Sequence, residues 1–97
     1  MRPKKLILII EADDTLLSGL LFSLLVNGYR VVGVHDVSQA QEAMRLHPID
    51  AIYTRTRIAN DFSLPVVVSA SMQEALGKLK IAVMRRRYFG QKIAARA

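Results

Sequence analysis

The chain has 97 residues, 52% of them hydrophobic, with no cysteine and a formal net charge of +6 at pH 7. The length fits one small domain, residues 1–97, and the lack of cysteine excludes disulfides, thiolate metal sites and cysteine nucleophiles. No apolar run approaches the roughly 20 residues of a membrane-spanning helix, and no signal peptide is recognisable, so we expect a cytoplasmic protein without membrane contact.

The chain begins with a strand pattern followed by a helix pattern. Residues 5–10 form a continuous aliphatic run without period-two alternation, which is typical of a strand covered on both faces. Asp13 or Asp14 can cap the next helix, whose leucines between residues 16 and 25 repeat at i, i+3, i+4 and predict a buried stripe. Asn27-Gly28 predicts the end of this helix.

The same alternation then repeats. Residues 29–34 predict a second strand, and Ser38 begins a capping-box pattern with Gln41 that predicts a short amphipathic helix. His47-Pro48 ends this helix, and residues 49–54 predict a third strand. The β-α-β-α-β order with short links predicts an α/β domain with a parallel sheet and right-handed crossovers.

The alternation of strand and helix patterns stops after the third strand. Residues 54–63 show little apolar periodicity and predict a loop, before a fourth buried strand at 64–70. Ser71 and Glu74 form a second capping box and predict a final helix. Residues 81–84 suit either that helix or a short fifth strand, and strong helix formers around them favour the helix.

Three stretches, KKLILIIEAD, NGYRVVGVHDVSQAQEAMRLHPIDAIY and LPVVVSAS, together resemble the receiver domain of bacterial response regulators. The resemblance covers residues 4 to about 55 and then 64–71. It implies a flavodoxin-like sheet of strand order 2-1-3-4-5. It also implies the family's activity, transfer of a phosphoryl group from a histidine kinase to an aspartate with Mg²⁺ held by acidic residues.

The chain lacks residues that the family uses to bind Mg²⁺ and to accept the phosphoryl group. The family's two metal-binding acids align with Glu11 and Ala12, while Asp13 is one position out of phase. The phosphoacceptor position is Arg55, and an arginine cannot accept a phosphoryl group in this chemistry. We expect Arg55 to pair with Glu11 or Asp13 and hold the site in one state.

The switch residue and the length of the chain also differ from the family. Ser69 and Ser71 lie near the family's switch Ser or Thr, but Ala70 fits the usual register. The residues from Arg55 to Pro65 are too few for a helix and two loops, and the family's lysine after the fifth strand has no clear counterpart. We therefore expect a shortened fold of four to five strands, order 2-1-3-4, with the third helix missing.

The sequence offers few other candidate chemical sites. Glu11, Asp13 and Asp14 could bind a divalent cation, or one Asp could cap the helix while the others are solvated. His35 and His47 have no partner at metal or triad spacing, and no glycine-rich phosphate loop is present. We therefore expect no catalytic residues, no metal and no cofactor, and a protein that is not an enzyme.

The first helix is unusual because no charged residue occurs between Thr15 and Tyr29. Its side away from the leucine stripe carries Phe22 and Val26, where a surface helix normally carries charges. The missing third helix should also leave one face of the sheet open. Both features favour a homodimer or another signalling protein as partner, although exposed apolar groups are also common on monomers.

The positive charge is concentrated at the end of the chain. From Lys78 onward there are seven basic residues and no acidic one, including Arg85, Arg86, Arg87, Lys92 and Arg96. This basic segment could bind nucleic acid or an acidic protein, or it could be a solvated helix end.

These observations favour a non-enzymatic pseudo-receiver that acts by protein–protein contact in bacterial signalling or transcriptional regulation. The alternative is a small nucleic-acid-binding regulator that uses the basic segment. A third hypothesis, ranked below both, is residual phosphorylation on Asp13 or Asp50.

Overall fold

Four strands form a parallel sheet: β1 (Leu6–Ile10), β2 (Arg30–Val34), β3 (Ala51–Thr54) and β4 (Val66–Val68). The computed structural model describes residues 4–58 and 62–96, with side chains described up to residue 84. In that part of the chain the strand order is β2-β1-β3-β4. The predicted α/β class and the shortened flavodoxin-like strand order 2-1-3-4 are therefore confirmed.

Helices lie on both faces of the sheet: α1 (Asp14–Val26) and α3 (Met72–Arg96) on one face, and α2 (Val37–Leu46) on the other. Alternate residues of a strand point to opposite faces. In β1, Ile7 and Ile9 therefore pack beneath α1 and α3, while Leu8 and Ile10 pack beneath α2. All five residues of β1 are buried, which explains its continuous aliphatic run.

The helix ends follow local signals in the chain. Asp13 caps α1 by accepting the N–H of residue 16 at 2.9 Å, and Gly28 adopts φ +93° just after α1, a conformation that favours glycine. Asp36 caps α2 by accepting the N–H of residue 39 at 2.8 Å. The capping box predicted at Ser38 is wrong, because Asp36 provides a carboxylate two residues earlier and α2 already includes Ser38.

The connection from β3 to β4 has no helix in its described parts, residues 55–58 and 62–65, as predicted. Its apolar residues Ile58, Phe62 and Leu64 pack against the α2 side of the core. The expectation that this face of the sheet lies open is therefore wrong in part, because the loop itself covers some of it. A groove of about 200 Å³ remains between Met44 at the end of α2 and Leu64.

β4 is shorter than predicted, with three residues. Pro65 precedes it and has no N–H to donate, and a turn at residues 69–71 follows it directly. α3 then begins at Met72 and includes residues 81–84, so the helical interpretation of that segment is confirmed. No fifth strand follows in the described chain, whereas a last helix is present.

Helix α3 continues past the sheet. Its buried residues Ala75, Leu79 and Val83 repeat every four residues, so one face packs against β3, β4 and α1. The helix then runs through Gly90 to Arg96.

Candidate functional site

A row of residues follows the strands at the carboxyl edge of the sheet. Ile10, Thr54 and Val68 are paired across β1, β3 and β4. The next residues are Glu11, Arg55 and Ser69, which therefore come side by side along this edge. In open α/β sheets the carboxyl edge is where ligands bind. The structure thus brings together three of the positions that the sequence indicated.

The acidic residues at this edge are used by the backbone and by a histidine. The carboxylate of Glu11 accepts the N–H of Asp13 at 3.1 Å, and the carboxylate of Asp13 caps α1. Asp14 contacts Nε2 of His35, the first residue after β2. His35 is therefore not isolated, contrary to the sequence interpretation. The pairing depends on the crossover that brings the start of α1 beside the end of β2, which residue spacing does not reveal.

Arg55 does not form the expected ion pair. No nitrogen of its side chain lies within 4.0 Å of a carboxylate oxygen of Glu11 or Asp13. Both carboxylates instead accept backbone N–H groups at the start of α1. The idea that a direct ion pair locks the site is therefore wrong, although Arg55 and Glu11 remain neighbours along the sheet edge.

Tyr53 is a site residue that the sequence analysis did not single out. Its side chain is completely buried, and its hydroxyl donates to the backbone oxygen of Ser69 at 2.9 Å. Burial raises the pKa of the Tyr53 hydroxyl, the positive charge of Arg55 lowers it, and the negative charge of Glu11 raises it. The Tyr53 hydroxyl therefore links β3 to the turn after β4, and its pKa depends on the charges of both Arg55 and Glu11. A single aromatic residue in an aliphatic strand was the available signal.

The two switch-like serines form a turn and a helix cap. Ser69 is buried; its hydroxyl donates to the backbone oxygen of Ser71 at 3.1 Å and accepts the Ser71 N–H at 3.2 Å. The Ser71 hydroxyl accepts the N–H of Glu74 at 3.4 Å, which is one half of the predicted capping box. The other half is wrong, because the Glu74 carboxylate pairs with Lys78 at 2.6 Å and the Ser71 N–H donates to Ser69. Both hydroxyls thus have structural partners, and exposed Ala70 lies between them.

Asp50 lies at the opposite edge of the sheet. It precedes β3, and its carboxylate accepts the N–H of Leu6 at the start of β1 at 2.9 Å. Asp50 therefore does not share a site with Glu11, which argues against it as a phosphoacceptor. Among the described residues, no three histidine or carboxylate side chains are grouped as metal ligands.

The outer side of α1 is apolar, as predicted. Phe22 is 66% exposed and Val26 is 64% exposed. The leucine stripe is buried less completely than predicted, because Leu16 and Leu25 are also exposed. The predicted anion-binding residues lie on the helical backbone of α3, but their side chains are outside the described part of the structure: Arg85, Arg86, Arg87, Lys92 and Arg96.

No family model, curated protein or solved structure matches this chain. The described helices include none with the length and apolar character needed to span a bilayer.

Proposed function

We propose that the chain is a non-enzymatic pseudo-receiver, a shortened receiver-like domain that acts by protein–protein contact in bacterial signalling or transcriptional regulation. The observation that supports this is the place of Arg55. It directly follows β3 at the carboxyl edge, between Glu11 and Ser69, where the receiver family has its phosphoacceptor aspartate.

The chemistry of the edge supports binding rather than phosphotransfer. A guanidinium has no hydrogen-bond acceptor and keeps its positive charge in proteins. It offers no carboxylate oxygen for a phosphoryl group, and its charge opposes a divalent cation nearby. Ala12 also replaces one of the acids that the family uses to bind Mg²⁺. We propose a cytoplasmic location, since a small secreted domain without cysteine would lack its usual stabilising disulfides.

Phosphorylation can be tested directly with a small-molecule phosphodonor and Mg²⁺. We expect the intact mass of the wild-type protein to stay unchanged, while a phosphorylatable receiver domain in a parallel reaction gains a phosphoryl group. A labile adduct on the wild-type protein would contradict the proposal. Asp13→Asn and Asp50→Asn variants would then show which carboxylate carries it.

A second candidate function is nucleic-acid binding through the basic segment. The observation in its favour is that α3 continues as one helix to Arg96, so the basic residues extend from the domain on a single element. Phosphate contacts by Lys and Arg supply most nonspecific affinity, which falls steeply with salt.

Fluorescence anisotropy with labelled duplex and single-stranded oligonucleotides tests this second function. The expected signature is salt-sensitive binding that is weakened when Arg85, Arg86 and Arg87 are together replaced by alanine. Arg45→Ala is the matched control, because Arg45 is an exposed arginine on α2, on the other face of the sheet. Equal losses in both variants, or no binding at low salt, would remove this candidate.

A further inference from the structure

The outer surface of α1 combines large and small residues in a regular order. Thr15, Gly19, Phe22 and Val26 are all exposed and are spaced by four, three and four residues, so they form one stripe along the helix. Gly19 has open space around it, since a Cβ added at this position would meet no atom within 4 Å. The stripe therefore presents two small residues followed by two large ones.

We propose that two copies of the chain pair through α1 in antiparallel orientation, with the large half of each stripe on the small half of the other. In this register Phe22 of one copy lies on Gly19 of the second copy, and Val26 lies on Thr15. The arrangement is isologous, because each contact occurs twice about a two-fold axis. The inference rests on the proposed function in that the domain acts through a protein partner, here its own copy.

The order of small and large residues along the stripe matches itself in antiparallel orientation and so favours a second copy as the occupant, and the lack of charge on this face permits it. The net charge of +6 comes from the basic residues from Lys78 onward, so two copies repel each other mainly through that segment. The segment from Thr15 to Tyr29 has no charged residue, so this face can approach its own copy without placing like charges together. Antiparallel helices also place the N-terminal end of one macrodipole beside the C-terminal end of the other.

The size of the surface sets the expected affinity. α1 has 13 residues and is therefore about 20 Å long at 1.5 Å per residue. Standard stable interfaces bury about 800 Å² on each partner, and a stripe of this length falls short of that unless neighbouring residues join it. Exposed Ile81 and Met84 lie on α3, which packs on the same face of the sheet as α1. We therefore expect a dissociation constant on the order of micromolar.

Sedimentation equilibrium over a range of concentrations around micromolar tests the pairing. We expect a reversible monomer–dimer equilibrium for the wild type and dimerisation weakened on the order of 100-fold or more for Phe22→Ala, because both copies lose the contact. Gly19→Leu should also abolish the dimer, since it fills the space that receives Phe22. Leu46→Ala is the matched control: Leu46 is 65% exposed, like Phe22 at 66%, but lies on α2.

Cross-linking tests the orientation, and the natural lack of cysteine gives no background. Copies carrying Thr15→Cys are mixed with copies carrying Val26→Cys and oxidised mildly. We expect disulfides between the two variants to form faster than disulfides within either variant. Faster self-cross-linking would indicate a parallel pair and overturn the proposed register.

The results separate this inference from the proposed function. A strictly monomeric wild type, or a dimer that persists in both Phe22→Ala and Gly19→Leu, overturns the α1 pairing and leaves the phosphorylation result unaffected. A wild type that dimerises and also accepts a phosphoryl group overturns the pseudo-receiver and leaves the pairing intact. Circular dichroism of each variant checks that it is folded before it is scored.

Discussion

Replacing Tyr53 by phenylalanine tests the account of the carboxyl edge. The substitution keeps the buried ring and removes only the hydroxyl that donates to the Ser69 backbone oxygen at 2.9 Å. Leaving a buried acceptor without its partner costs about 1–3 kcal/mol. Domains of this size have total stabilities of about 5–15 kcal/mol and lose about 4–8 °C in Tm per kcal/mol. We therefore expect Tm to fall by roughly 8–16 °C for a cost of about 2 kcal/mol.

The same substitution has a defined dependence on pH. Burial raises the pKa of Tyr53 above its ordinary value of 10.0, so the folded protein holds this proton more tightly than the unfolded chain. The resulting stabilisation is complete below the unfolded-state pKa and is lost as pH rises through the folded-state pKa. Phenylalanine has no proton to lose. The difference in free energy of unfolding between wild type and variant should therefore narrow above about pH 10.

Urea denaturation followed by circular dichroism, at neutral pH and at several alkaline values, measures both effects. Tyr29→Phe is the control, because burial also raises the pKa of Tyr29 but its hydroxyl makes no hydrogen bond to the described residues. This control should cost less stability at neutral pH than Tyr53→Phe. The reasoning is refuted if Tyr53→Phe is as stable as the wild type at neutral pH, or if the difference between them does not change with pH.

Three further predictions concern stability and use thermal unfolding as the measurement. Asp13→Ala removes the cap of α1 and should destabilise by about 1 kcal/mol; an unchanged Tm would show that the cap contributes nothing. At protein concentrations low enough to keep the chain monomeric, Gly19→Ala should stabilise by about 0.5–1 kcal/mol because Gly19 lies inside a helix in open space, whereas Gly28→Ala should destabilise because of its φ of +93°. Equal signs for the two would contradict this assignment. Leu79→Ala should cost about 2–5 kcal/mol because Leu79 is completely buried, and the exposed Ile81→Ala on the same helix should cost far less.

The parallel sheet could be predicted because its signals are local and agree with each other. The aliphatic run of β1 requires cover on both faces, and short links between strand and helix patterns leave few topologies. Asp13 and Gly28 marked the limits of α1 by their own backbone preferences. The lack of a helix between β3 and β4 followed from chain length alone.

The contacts at the site could not be predicted, because each carboxylate has several possible hydrogen-bond donors and the sequence does not show which donor lies nearest. Glu11 and Asp13 were expected to attract Arg55, yet backbone N–H groups at the start of α1 lie closer and carry no cost of ordering a long side chain. The contact of Asp14 with His35 joins elements whose spacing is set only by the crossover.

The width of the leucine stripe explains a second error. Six leucines between residues 16 and 25 span about half of the helix circumference at 3.6 residues per turn. A helix on a sheet buries a narrower arc, so Leu17 and Leu24 at the centre are buried while Leu16 and Leu25 at the margins are exposed. Periodicity located the centre of the buried face, and only the packed structure gives its limits.

The shortness of β4 limits how a strand of another molecule could pair with this edge of the sheet. The Pro65 oxygen and the Ser69 N–H both bond to β3, so the peptide groups of Val66 and Val68 point away from it. In the described chain these groups form the β4 edge of the sheet, one of its two edges, and they are too few to hold a strand of another molecule. The β4 edge thus offers little backbone for edge-to-edge pairing with a strand of another molecule.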